Sequence, residues 1–220
     1  MKKLHKIIAA SLLASASTAG TGVVLAESSL TANVGVTSNY IWRGVTQTKD
    51  AAAISGGIDY AHDSGFYLGT WTSNLDGSQY EQDLYAGYGF NAGPVDLDVG
   101  YIKYTYPIGA AVQLDFDEVY VNAGVSYFTA GVAFTTSKEA GGAEDDTYMY
   151  LSAEFEVKKG LMLGLTYGDY DVDGGSADDY SHMQLSLSKG DFTFAYDDND
   201  KTGSAGDPRV SVSWGQSFDL

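Results

Sequence analysis

From Leu30 onward the apolar positions repeat every second residue, the period of extended chain; a helix would repeat at 3.6. In the first such segment Leu30, Ala32, Val34, Val36, Tyr40 and Trp42 share one face, and Thr31, Asn33, Gly35, Thr37, Asn39 and Arg43 share the other. The same alternation recurs along the chain. It predicts strands centred on residues 30–43, 52–60, 66–74, 81–90, 95–104, 117–125, 128–136, 147–157, 161–169, 180–188, 192–197 and 209–219. The clearest apolar faces are Leu84-Ala86-Tyr88-Phe90, Val95-Leu97-Val99-Tyr101, Val119-Val121-Ala123-Val125, Met149-Leu151-Ala153-Phe155-Val157, Leu161-Leu163-Leu165-Tyr167 and Val210-Val212-Trp214.

The connections alternate in length. His62-Asp63-Ser64-Gly65, Asn91-Ala92-Gly93-Pro94, Lys158-Lys159-Gly160 and Lys189-Gly190-Asp191 are tight-turn sequences at every second connection. Between them lie longer, acidic stretches at 44–51, 75–80, 105–116, 137–146, 170–179 and 197–208. Short turns at one end and long loops at the other are the asymmetry of an outer-membrane barrel. The expected fold is all-β, a closed antiparallel transmembrane β-barrel of twelve strands. The turn near Ser126-Tyr127 carries the weakest signal, and its loss leaves ten strands.

A soluble barrel or sandwich also alternates, but it shows water a face rich in Lys and Glu. Here Lys is scarce and the polar faces hold Gly, Ser, Thr, Tyr and acids, which suits a wet or hydrogen-bonded lumen. The apolar face then meets lipid, where a closed sheet pairs every backbone group. Tyr40, Trp42, Tyr88, Phe90, Tyr101, Tyr127, Phe128, Tyr167, Tyr170, Phe192, Trp214 and Phe218 fall near predicted strand ends, where aromatic girdles belong. The final strand has Trp214, Phe218 and Leu220 in phase.

Ahead of the strands, the basic head Met1–Lys6 and the apolar, small-residue run Ile7–Val24 form a secretory signal, with Val24-Leu25-Ala26 before the cut. A spanning helix needs about 20 predominantly apolar residues, and this run is broken by Ser, Thr and Gly. Residues 1–26 are read as a cleaved signal and 27–220 as one barrel domain. The formal charge is −17, and loss of three signal lysines takes it to about −20. So acidic a chain lacks the cations that phosphate backbones require, which excludes nucleic acid as a partner. With no Cys, disulfides and thiolate metal sites are excluded.

Candidate chemistry follows from the polar faces. Arg43, Asp59, Asp83, Glu118, Glu154, Glu156, His182 and Arg209 are the expected pore-lining residues, together with Asp96 and Asp98, an acidic excess that predicts preference for cations. Arg43 has two readings, a constriction opposite lumen carboxylates or a guanidinium snorkelling beside Tyr40 and Trp42. Asp169, Asp171 and Asp173 have the Asp-x-Asp-x-Asp-Gly spacing of a calcium loop, but its twelfth position is Tyr180, which brings no carboxylate. For catalysis the chain offers His62 beside Asp63-Ser64 in a turn and His182 on a polar face; no Gly-x-Ser-x-Gly elbow or zinc spacing accompanies them. The reading is therefore a channel without catalysis or cofactor. Its partners are outer-membrane lipid, lipopolysaccharide at the acidic loops, and small hydrophilic solutes or cations. A non-conducting adhesin-like barrel and an outer-membrane hydrolase are the alternatives, and the oligomeric state is left open.

At Ser38-Asn39-Tyr40-Ile41-Trp42-Arg43-Gly44-Val45-Thr46-Gln47-Thr48, at residues 54–74 and at Asp83-Leu84-Tyr85-Ala86-Gly87-Tyr88, the chain resembles the TorF-family porins, also called the Gcw_chp family. The resemblance continues to Tyr104-Thr105-Tyr106-Pro107; beyond that only the strand-and-loop rhythm agrees. It implies an outer-membrane barrel with a porin role and maps Tyr40, Arg43, Gly44, Gln47 and Thr48 onto the first loop. A departure is Ala51-Ala52-Ala53, where relatives tend to carry a proline.

Overall fold

The computed structural model describes residues 28–107, 114–139, 145–172 and 179–220. The export signal expected at 1–26 lies outside them, as do Asp173 and Gly174 of the calcium-like run. The strands are β1 (Ser29–Thr37), β2 (Ile41–Trp42), β3 (Val45–Thr46), β4 (Ala53–Ala61), β5 (Phe66–Asn74), β6 (Tyr80–Ala92) and β7 (Val95–Thr105). They continue as β8 (Phe116–Val125), β9 (Phe128–Lys138), β10 (Thr147–Lys158), β11 (Leu161–Asp171), β12 (Tyr180–Lys189), β13 (Phe192–Asn199) and β14 (Arg209–Asp219). All but β2 and β3 form one closed antiparallel barrel, in which each strand pairs with its neighbours in sequence and β1 closes on β14. Thr31 faces Asp219 and Thr37 faces Ser213 across that seam, so no strand edge is left unpaired.

The barrel thus has the twelve strands expected, and the doubtful turn is real. Val125 pairs with Phe128 across Ser126-Tyr127, with Ser126 in the left-handed region at φ 58°. The five short turns lie at one rim together with the start of β1 and the end of β14, and the strand ends that bound the longer connections lie at the other.

Alternation decides what each wall presents. Outward are Ile54, Leu68, Leu84, Val121, Leu151, Leu185 and Phe194, all exposed. In water this belt would be an aggregation surface; in a bilayer it is the solvent-matched face. Tyr88, Phe90, Tyr101, Tyr127, Phe128, Tyr167, Phe192 and Phe218 are exposed as girdle residues should be. Three girdle expectations are corrected. Tyr170 is buried inside, because it keeps the inward phase of Gly168 while Tyr167 keeps the outward one. Tyr40 and Trp42 are inside as well, because the first strand does not run to residue 43. It stops at Thr37, and residues 38–52 fold back through the barrel mouth.

Candidate functional site

The first loop is built to hold itself up. Asn39 Oδ1 accepts from the Thr46 hydroxyl at 2.6 Å and the Thr48 hydroxyl at 3.1 Å, while Asn39 Nδ2 donates to Asp50 at 2.8 Å. The Tyr40 amide donates to Thr48 Oγ1, and the Gln47 amide to the Tyr40 carbonyl. Short polar side chains here replace the ladder partners that a free segment would lack. Within this frame Ile41–Trp42 and Val45–Thr46 make a miniature hairpin, with Arg43 and Gly44 as its two central residues. Both have positive φ, 48° and 79°, the signature of a type I′ turn. The Asn199 side chain donates to the Gly44 carbonyl at 2.8 Å, pinning the apex to the end of β13.

From that apex the Arg43 guanidinium makes a two-pronged pair with Glu118, Nη1 to Oε1 at 2.8 Å and Nη2 to Oε2 at 2.7 Å. It also lies over three rings, 4.2 Å from Trp42, 4.1 Å from Tyr148 and 5.1 Å from Tyr170. Planar guanidinium suits both partners, since its fork matches a carboxylate and its face stacks on an aromatic. The Tyr104 hydroxyl adds a bond to Glu118 at 3.3 Å. Tyr40 extends the contact to β6, donating to Glu81 at 3.1 Å and meeting Trp71 edge-on. The loop therefore reaches from the β1–β4 side of the mouth to the walls made by β6 through β13.

Arg43 lies inside the barrel, facing the Glu118 carboxylate as well as Trp42: its side chain is 8% exposed and that of Glu118 2%. Asp83, inward on β6, is fully buried beside Glu81. His182 is buried against Gly44 and stacks on Tyr148, whose hydroxyl meets Nε2 at 2.9 Å.

The other expected site residues fall elsewhere. Asp59 accepts from Asn33 Nδ2 at 3.0 Å and from the Tyr85 hydroxyl, deeper in the barrel. On β7, Asp98 accepts from Tyr67 at 2.7 Å and Asn122 at 3.2 Å, and Tyr67 is also bonded to Tyr120. Glu154 is half-buried on the inward face of β10. Glu156 is exposed at the short-turn rim, where it accepts from the Gly160 amide at 2.7 Å. Arg209 commits its guanidinium to the carbonyls of Ser204, Ala205 and Asp207 and, through Nε, to Asp50 at 2.7 Å, which ties the last loop to the first.

Asp169 and Asp171 stand on β11 with side chains on its exposed outer phase. In extended chain they run parallel and cannot converge on one ion, and among the described residues no group of three His, Asp or Glu is placed to hold a metal. The His62 imidazole gathers Ser64 and Asp63 on the same Nδ1, an exposed turn arrangement with no relay through the ring. Ser181, next to His182 in sequence, gives its hydroxyl to Asp200 at 2.9 Å. The backbone N–H and hydroxyl of Ser181 hold the Asp200 carboxyl below its ordinary value.

Trp42 is the ring that the sequence set beside Arg43; Tyr148 was not singled out, and Tyr104 and Tyr170 were not tied to Arg43. The available signal was the Arg43-Gly44 pair between Ile41-Trp42 and Val45-Thr46, a two-residue hairpin pattern continuous with the period-two run before it.

A family model described as "Bacterial protein of unknown function (Gcw_chp)" matches residues 25–205. The chain belongs to the Gcw_chp family. No curated protein matches it. Among solved structures it is similar to a protein from work on the mechanism behind in-meso crystallization of membrane proteins, with 14% identity, TM-score 0.60 and coverage of 87% of this chain and 84% of that one. It is also similar to the KdgM porin, at 9% identity and TM-score 0.56, covering 86% of this chain and 99% of that one. The KdgM porin in complex with disordered oligogalacturonate gives 8% identity and TM-score 0.55, with coverage of 87% and 99%. At these identities the likeness is one of fold. With the apolar outer belt, the aromatic girdles and the closed sheet, it makes this Gcw_chp chain a bacterial outer-membrane β-barrel.

Proposed function

We propose that this Gcw_chp protein is a porin for passive diffusion of small hydrophilic solutes, preferring cations, with residues 1–26 as its export signal. The observation that carries the reading is the charge of the inward face. Asp59, Glu81, Asp83, Asp98, Glu118 and Glu154 point into the barrel, and the first loop sets Arg43 against them. Fixed carboxylates in a narrow tube with low-dielectric walls concentrate cations and repel anions. The KdgM porin was solved with oligogalacturonate; an acidic wall disfavours such a polyanion, so the shared fold does not carry that ligand to this chain.

The test is the reversal potential of refolded protein in a planar bilayer under a potassium chloride gradient. Selectivity for potassium, weakening in high salt as screening shortens the field, supports the reading. Anion preference or absence of conductance defeats it. Asp98→Asn with Glu154→Gln should move the potential toward zero.

A second reading, a barrel that does not conduct and serves as a structural or adhesin-like element, is favoured by the inward first loop, whose Tyr40, Ile41 and Thr48 are almost fully buried. Its acidic loops can link to lipopolysaccharide through divalent cations. Conductance separates the two.

A further inference from the structure

We propose that the mouth of the barrel is a recognition site for solutes carrying a guanidinium group, and that Arg43 is a resident occupant which such solutes displace. The inference rests on the porin reading and names the solute class for it. The cage is defined by what already fills it: Glu118 takes both prongs of one guanidinium, Trp42 and Tyr148 lie within about van der Waals reach of its plane, and Tyr170 lies beyond. A planar cation offered from solution would find the same carboxylate fork and ring faces.

Two features mark Arg43 as a ligand held on a tether. Its backbone sits in the left-handed region at the first central position of a type I′ turn, where Asn, Asp or Gly is the expected residue and a long side chain is disfavoured. The turn is therefore made in spite of Arg43, and the side chain accounts for the choice. Further, besides the Arg43–Glu118 pair the loop is held by bonds through Asn39, Tyr40, Thr46, Thr48 and Asn199 that are independent of the guanidinium. The side chain can swing out while the loop stays, and an incoming guanidinium restores the charge lost at Glu118.

The experiment uses the refolded barrel in detergent, methylguanidinium as the probe and methylurea as its uncharged isostere, with binding followed by titration calorimetry. Arg43→Ala should bind methylguanidinium at least ~10-fold more tightly than the wild type, which must first expel its own occupant. Methylurea should bind neither, and Arg43→Ala with Glu118→Gln should lose the gain. If Arg43→Ala fails to fold, Arg43→Met keeps the apolar stem over the rings and serves instead. Equal binding by wild type and variant, or binding that survives Glu118→Gln, overturns the proposal. A barrel that conducts potassium yet shows no such gain sinks this inference alone, and one that binds but never conducts sinks the porin reading alone.

Discussion

Arg43 and Glu118, 75 positions apart in sequence, meet fork to fork at 2.8 and 2.7 Å inside the barrel and join the first loop to β8. Neither side chain is more than 8% exposed, so the pair is not screened as a surface ion pair would be. Losing one member strands the other charge in a poorly hydrated site, at a cost of about 3–5 kcal/mol. Glu118→Leu and Arg43→Met alone should therefore each lower the urea midpoint sharply, whereas the two together should recover most of the loss. A double-mutant cycle by equilibrium unfolding checks this; additive single effects would show that the pair is uncoupled.

Gly44 packs against His182 so closely that an added Cβ would lie 2.5 Å from the His182 Cβ, a backbone-proximal atom that cannot swing away. The position also has φ 79°, which for a side-chain-bearing residue costs about 1–3 kcal/mol. Gly44→Ala should expel the hairpin apex from the lumen while the barrel wall stays folded. Limited proteolysis should then cut within 38–52 in the variant and spare the wild type, and single-channel conductance should rise.

Most of the barrel is legible in the sequence because lipid enforces alternation: Met149, Leu151, Ala153, Phe155 and Val157 can face one way only, and that fixes Glu154 and Ser152 to the other side. The first segment misled for the same reason. Tyr40 and Trp42 continue the apolar phase of Leu30–Val36, yet the chain leaves the wall at Ser38. Their burial is against Trp71, Tyr104 and Tyr170, partners more than 25 residues away that no local period encodes. Arg43 was legible as a lumen candidate from its phase, but its cage was not, because Tyr148 and Tyr170 come from β10 and β11. At Asp169 and Asp171 the sequence already weighed against a metal site, since Tyr180 brings no carboxylate; what it did not show is that both stand on a strand, where their side chains run parallel.

The two walls predict opposite tolerances. Val121, Leu151 and Leu185 are exposed on the outer face, so Arg at any of them near mid-depth should cost about 2–4 kcal/mol. Ser152→Arg, half-buried and inward, should cost much less. Sequence phase alone makes Asn122 an equally tolerant inward site, but its amide bridges Asp98 and Tyr150 and it is nearly buried, so Asn122→Arg should behave like a lipid-face substitution. Folding into vesicles across a urea series separates the three classes, and equal costs for Leu151→Arg and Ser152→Arg would argue for a solid interior.

Several inward tyrosines lie across a glycine directly opposite on the next strand: Tyr85 on Gly69, Tyr67 on Gly87, Tyr120 on Gly100 and Tyr150 on Gly131. The pairing lets each ring lie along the wall instead of projecting into the lumen, and it covers backbone that glycine leaves bare. At Gly69 an added Cβ would fall 2.6 Å from the outer ring carbons and hydroxyl of Tyr85. Those atoms are the far end of a side chain with two rotatable bonds, so the ring lifts inward and the wall stays put. The same movement takes the Tyr85 hydroxyl from Asp59 and leaves that carboxylate with Asn33. Gly69→Ala should therefore narrow the lumen and reduce single-channel conductance, with stability falling by less than about 1 kcal/mol. Gly65→Ala is the control: there the added Cβ meets the backbone carbonyl of Gly89 in a turn with φ 99°, where nothing can rotate aside. That variant should lose stability and keep its conductance. Conductance falling for Gly65→Ala but not for Gly69→Ala would mean that the tyrosines do not bound the passage.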